Sequence, residues 1–320
     1  MRDPLSQRIA VLLMAHGGPG SLDDVEPFLS HIMKERKPSP EVVDQVRERY
    51  RLIGGKSSLL EVTQQQAQAL EKMLNQAGSR FDVFVGMRHW TPFIHETVKE
   101  ILDNRAESLV AVSLAPQYSR MSVGAYIAAL KETLTEAGSD LPTTAVESWH
   151  DQPLLLDAFA EKVKKALADY PDAVRPKVQL LFTAHSLPER ILAEGDPYPR
   201  EVAATVAGVV ERLRHHLSGM RWRFAYQSRG LRPGKWLGPE VEEVSDEMEE
   251  MVAKGDRHLL VVPVGFVSDH VEILYDIDIL YKEAAASKGI ELRRTESLNA
   301  SRLFIKALAG VVHSNLPVSF

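Results

Sequence analysis

The sequence predicts an α/β protein made of two similar halves, each a parallel sheet covered by helices on both faces. Two observations carry this. Short, almost continuous apolar runs alternate with longer amphipathic stretches, the pattern of strands buried on both faces and of the helices that bury them. The halves also repeat: VLLMAHGGP (11–19) aligns without gaps to LLFTAHSLP (180–188), and VAVSLAPQYS (110–119) lies over LLVVPVGFVS (259–268). A strand followed by a turn at the same two places in each half points to duplicated domains.

In chain order, IAVLLMA (9–15) is the first predicted strand. EVTQQQAQALEKMLNQA (61–77) repeats its apolar positions every three and four residues and reads as a helix. FDVFVGM (81–87), SLVAVSLA (108–115) and TTAVESW (143–149) complete the first set of strands. HDQPLLLDAF (150–159), where Pro153 interrupts the pattern, marks a linker and divides the chain into domains of 1–150 and 151–320. The second half repeats the plan with VQLLFTA (178–184), the helical REVAATVAGVVERLRHHL (200–217), WRFAYQ (222–227), LLVVPVGF (259–266) and IELRRT (290–295). In WLGPEVEE (236–243) the proline occupies the first position of an expected helix.

Composition narrows the function. The 320 residues are 44% hydrophobic and 26% charged, as in a soluble globular protein. The net charge of −6 comes with no basic block, which argues against a nucleic-acid partner. There is no cysteine, so disulfides, thiolate zinc sites, a cysteine nucleophile and cysteine-held iron–sulfur clusters are excluded. No apolar stretch reaches the roughly 18 residues of a membrane span. The apolar N-terminal run meets His-Gly-Gly-Pro rather than a small-residue cleavage site, so it reads as a strand of a cytoplasmic protein.

The chemistry-bearing residues gather after strands. In open parallel sheets, ligands bind beyond the carboxyl ends of the strands. His16, Tyr118, His185 and the acids of GFVSDHVEILYDID (265–278) all fall there, and are expected to converge on one cleft between the domains. Asp269-x-x-Glu272 has the spacing of a capping box, and acids suit the first turn of a helix. Asp276 is not explained in that way. On a regular helix Asp269, Glu272 and Asp276 share one face, and like charges there call for a cation or a proton among them. His185 follows an apolar strand and supplies a group that takes a proton or a metal near neutral pH. Facing carboxylates with no thiolate, it suits an iron-like ion held loosely. The glycines after His16 do not form a dinucleotide or phosphate-loop motif. Gly54-Gly55 suits a mobile lip, and Trp90, Tyr118, Tyr126, Tyr226 and Trp236, in or beside predicted loops, suit a flat aromatic ligand.

LLFTAHSLP, PVGFVSDHVEILYD, YQSRGLRPGKWLGP, GDPYP (195–199) and IGGKSSLLEVTQQQA (53–67) together resemble the ferrochelatases, which insert ferrous iron into a porphyrin. LAPQYSRMSVGAY (114–126) and AVESWHDQP (145–153) look most like the bacterial cytosolic form acting on coproporphyrin III. The resemblance spans the chain and implies two Rossmann-like, chelatase-type domains with the ligand cleft between them. It implies that His185 binds metal and accepts protons, that Glu272 is its carboxylate partner, and that Asp269 belongs to the same catalytic motif with His270. It implies porphyrin contacts from Arg49, Tyr50, Ser57 and Tyr126, with His16 where close relatives carry a tyrosine that can coordinate product iron. Met33 replaces a propionate-binding arginine, leaving Arg49, Lys34 and Arg36 nearby, and Leu280 replaces a further acid. Ferrous iron is then a substrate, and no tightly bound cofactor or iron–sulfur cluster is expected. Porphyrin and iron are the expected partners, with a transient iron donor or haem-pathway enzyme. Alternatives are a protoporphyrin IX ferrochelatase, a sirohydrochlorin or cobalt chelatase, and a non-catalytic tetrapyrrole carrier.

Overall fold

The computed structural model describes residues 8–33, 37–78, 80–217, 220–230, 234–241, 251–252 and 255–317. The chain divides into two compact units: Met1–Gln152 with Asn299–Phe320, and Pro153–Leu298.

The first unit is built on β1 (Arg8–Ala15), β2 (Arg80–Met87), β3 (Ser108–Ser113) and β4 (Thr143–Val146), all parallel, in the order β2-β1-β3-β4. The second is built on β5 (Val178–His185), β6 (Trp222–Gln227), β7 (His258–Val262) and β8 (Glu291–Arg294), also parallel, in the order β6-β5-β7-β8. The two orders are the same permutation, as the sequence repeat requires. The central strands are apolar throughout because helices cover both faces. Leu12, Leu13, Val110, Ala111, Leu180, Leu181, Leu260 and Val262 have no exposed surface. Each such Leu or Val contributes about 1.5–3 kcal/mol by leaving water.

The helices of the first unit are α1 (Val25–Ile32), α2 (Pro40–Leu52), α3 (Leu59–Leu74), α4 (Ile94–Asp103) and α5 (Val123–Glu136). The second has α6 (Pro153–Ala168) and α7 (Tyr198–Leu213). Residues 150–159, expected as a linker, are mostly the first turns of α6. Pro153 opens that helix rather than breaking it, because a first-turn residue has no intrahelical use for its N–H. The expected boundary at 320 is also corrected. α8 (Arg302–Ser314) belongs to the first unit, where it packs on α3, and Phe304 lies 6.1 Å from the Trp149 ring. Its buried face, Phe304, Ile305, Leu308, Val311 and Val312, drives that return.

The segment 236–241 does not begin a regular helix at Pro239. Tyr226 N donates to Pro239 O at 2.7 Å, and Glu240 bridges to Tyr226 as an added strand pairing. Residues 242–250 lie outside the described residues.

Candidate active site

In each sheet the chain leaves the first strand toward one neighbour and the third toward the other. The carboxyl ends of β5 and β7 therefore flank the point where strand order reverses, the place such sheets bind ligands. His185 is the last residue of β5, and Glu272 sits in the single helical turn Val271–Leu274 that follows β7. Gly265 lets the two approach. Its N–H donates to Thr183 O, and a Cβ there would stand 2.7 Å from the Ala184 Cα.

His185 Nε2 lies 3.4 Å from Glu272 Oε1, and His270 Nε2 lies 3.4 Å from Glu272 Oε2. One carboxylate thus faces two imidazoles, each oxygen toward its own ring. The side chains of His185 and Glu272 keep 30% and 29% of their surface, so the pair is reachable. His270 Nδ1 donates to Ser268 O at 3.0 Å, leaving Nε2 as the nitrogen turned to Glu272. Burial pushes the His185 pKa down, but the Glu272 charge and hydrogen bond, with a smaller push from Asp276, leave it above its ordinary value. Burial pushes Glu272 up, yet His185 and then His270 hold it well below the usual carboxylate range.

Supporting contacts fix both partners. Tyr198 donates its hydroxyl to His185 O at 2.8 Å, and Asp196 accepts from Tyr198 N. Burial, then the nearby Tyr226, Glu272 and Asp196, keep that phenol protonated. Gln227 Nε2 donates to Glu272 O at 3.0 Å. Ser186 Oγ donates to Leu237 O at 2.9 Å, so the WLGP segment anchors the turn after His185. Tyr198 comes from GDPYP, a stretch the sequence flags without a role. A tyrosine hydroxyl aimed at a distant carbonyl leaves no local signal, so only the motif itself marks it.

The expected row of Asp269, Glu272 and Asp276 on one helix face is not formed. Asp269 lies before the helix, whose cap is His270 in an extended conformation without a side-chain cap bond. The capping box is therefore absent too. Asp269 Oδ1 instead accepts from Ser297 at 2.7 Å and pairs with Arg294 at 3.3 Å. After Leu274 the backbone widens into a π-helix, Asp276–Tyr281, in which Leu280 N reaches Tyr275 O. Asp276, buried there, accepts from Ser228 Oγ at 2.5 Å, and Asp278 pairs with Arg294 at 2.8 Å. The acids avoid mutual repulsion by taking protein partners: Asp269 and Asp278 share Arg294, and Asp276 takes Ser228. Among the described residues no three His, Asp or Glu side chains close on a common metal position. Leu280 is exposed on the same π-helix.

In the first unit, His16 follows β1 and is exposed, with its Nδ1 3.1 Å from Gly17 O. Ser57 sits against that turn. Its N–H donates to Pro19 O, and a Cβ on Gly18 would stand 2.5 Å from Ser57 Oγ, so glycine is needed for the approach. Tyr50, in α2, points its hydroxyl toward Gly18. Tyr50 and Ser57 therefore meet at Gly18, two residues beyond His16. Tyr50 and Tyr126 keep only 3% and 6% of their surface, so their rings lie behind the surface rather than on it. Arg49 is half-buried beside Tyr50 in α2, and Met33 is exposed at the end of α1. Lys34 and Arg36 lie outside the described residues. The expected aromatics fall in both units: Trp90, Tyr118 and Tyr126 in the first, Tyr226 and Trp236 in the second.

Two parallel α/β units of matching strand order, with an imidazole and a carboxylate at a switch point, define a chelatase-type protein. SirB from Bacillus subtilis with Fe3+ shares this fold at a TM-score of 0.57 and 14% identity, covering 97% of this chain and 96% of that one. The chain belongs to the ferrochelatase family, whose profile matches residues 8–316. It is 38% identical to a ferrochelatase of Herpetosiphon aurantiacus, covering 96% of this chain and 99% of that one. It is 37% identical to a coproporphyrin III ferrochelatase of a Geobacillus species, covering 96% and 97%. Its activity is the insertion of iron into a porphyrin in haem biosynthesis, a lyase reaction. Among the described residues no helix is long and apolar enough to cross a membrane.

Proposed function

We propose that this chain inserts ferrous iron into coproporphyrin III, giving coproheme, and that His185 and Glu272 receive the ion and take the protons. The carboxylate shared between two imidazoles at the switch point of the second sheet carries this reading. Insertion exchanges two pyrrole protons for one Fe2+, so each turnover needs a proton acceptor. Neutral His185 accepts a proton at Nε2, and anionic Glu272 stabilises the imidazolium that results. The same two groups attract the arriving cation. Asp269 and Asp276 act behind them, holding Arg294 and Ser228.

Iron is a substrate on this reading, and a chain without cysteine can hold no cysteine-ligated cluster. The coproporphyrin assignment draws on relatives named for that substrate and on motifs shared with them. Coproporphyrin has four propionates against two in protoporphyrin IX, and Arg49 is a cation suited to one of them. His16 and Ser57 complete the porphyrin contacts, with His16 as a ligand to product iron, and Tyr50 and Tyr126 support them from beneath the surface. The reaction takes place in the cytoplasm, fed by a transient iron donor or a neighbouring haem-pathway enzyme. Anaerobic metallation of coproporphyrin III, protoporphyrin IX and sirohydrochlorin side by side tests this. Fastest turnover on coproporphyrin III is expected. A clear preference for either other substrate would overturn it, and haem binding without any iron insertion would mark a carrier.

A further inference from the structure

Four histidines of the first unit are strung together, beginning at His16. The His16 and His89 ring centroids are 4.6 Å apart, and those of His89 and His31 5.7 Å. His31 and His95 lean on the Phe93 ring, at 5.1 and 5.4 Å. His31 and His95 also line a cavity of about 220 Å³ between the ends of α1, α4 and α5, together with Glu132 and Glu136. Those two glutamates are four apart on α5 and therefore share a face. None of these four residues has a part in the proton chemistry of His185 and Glu272.

We infer that this cavity and its imidazoles form a docking track for the divalent metal substrate, entered at Glu132, Glu136, His95 and His31 and passing through His89 to His16. The spacing suits it. Two imidazoles bound to one ion, with metal–nitrogen bonds of roughly 2.1 Å, place their centroids about 4.5–5.7 Å apart at ordinary coordination angles. Carboxylates with imidazoles, and no thiolates, form a donor set for ferrous or similar ions. His89 sits between two of these rings, tilted 49° to His16 and 71° to His31. Its Nδ1 is buried without a hydrogen-bond partner, so no protein acceptor fixes its tautomer. Arg88 is the opposing charge in the cavity lining, and its guanidinium lies 5.7 Å over the Tyr126 ring. No three donors close on one point among the described residues, so an ion is held by two at a time with water completing its shell. Such a site releases its ion readily, which suits cargo.

The inference rests on the proposed metal-inserting reaction but is tested apart from it. Full-length protein without porphyrin is titrated with Co2+ and followed by its visible d–d absorption. His185→Ala should keep a histidine-type Co2+ signal. In that background His31→Ala with Glu132→Gln should weaken it about 10–100-fold, the scale on which lost metal contacts act. In the enzyme with His185 intact, the same two changes should raise KM for the metal and leave kcat and the porphyrin KM unchanged. His31 and Glu132 are exposed, so the fold survives their substitution. An unchanged Co2+ titration, or an unchanged metal KM alongside normal metallation, would overturn the track and leave the reaction standing. Loss of the Co2+ signal in a protein that metallates no porphyrin would uphold the track and overturn the reaction.

Discussion

Glu272 presents one oxygen to His185 and the other to His270, at 3.4 Å each, so its charge is shared between two rings. On the proposed roles, removing either member of the His185–Glu272 pair removes both a proton acceptor and a cation ligand. His185→Ala or Glu272→Gln is expected to lower metallation by about 10²–10⁴-fold, the range for losing a positioned acid–base group. Porphyrin affinity, read by fluorescence quenching, should change little. Near-normal turnover in either variant would refute the assignment.

The same pair sets the pH response. His185 is raised above its unfolded value, so its contribution to stability is full below that value and fades as pH rises through the folded pKa. Glu272 is depressed, so its contribution is present above the unfolded carboxyl value and lost only in strong acid. Proton acceptance needs neutral His185. Metallation should therefore climb with pH through a midpoint above an ordinary histidine's, while thermal stability declines over the same interval. In Glu272→Gln the midpoint, read as His185 titration by NMR, should move down. A midpoint that stays put would show that Glu272 does not hold the His185 proton.

His16 follows β1 as an exposed imidazole whose Nδ1 lies against Gly17 O. As a ligand to product iron, it should give ferric coproheme bound to the protein a histidine-type absorption spectrum. His16→Ala should change that spectrum and speed product release. A folded, product-bound variant with an unaltered spectrum would leave His16 only its part in the glycine turn.

Arg294, at the end of β8, holds Asp269 and Asp278 together and keeps 14% of its side-chain surface. Arg294→Leu leaves two acids facing each other without their cation. A loss of about 2–3 kcal/mol in urea denaturation is expected, since breaking a shielded ion pair strands a charge. Because each acid already has a protein partner, a chelator such as EDTA should leave the wild-type Tm unmoved. A Tm that drops with EDTA would show that an ion holds the acids together.

Gly265→Ala would press a methyl group against the strand that carries His185. About 1–3 kcal/mol of destabilisation is expected from such overpacking. Residual activity at a temperature where the variant is folded should still be low, because the Ala184 backbone must shift. Wild-type activity with intact stability would show that β5 has room to spare.

The central strands were legible because a strand buried on both faces is apolar along most of its length, as in the run Val178–Ala184. The repeat made the matching strand orders legible as well. His185 and Glu272 were legible from their place after strands and from motif. The partners of the other acids were not. Arg294 reaches Asp269 from β8, 25 residues on, and no local pattern announces an ion pair across a sheet end. The π-helix defeated the three-and-four spacing on which the common acidic face depended, because one widened turn rotates every later side chain. The destination of α8 was hidden for a related reason. Its apolar stripe shows that it packs, but a stripe does not say on what.

That return of α8 bears on how the protein is born. Residues 153–298 form a complete unit set within the first unit, whose helix α8 follows them in the chain. Domains usually mature in order of synthesis. Here the order inverts: the inserted unit has its whole core available while the first still waits for the helix that covers α3. Until α8 is made, the first unit lacks the helix that packs on α3, and its core closes only after the inserted unit has been synthesised whole.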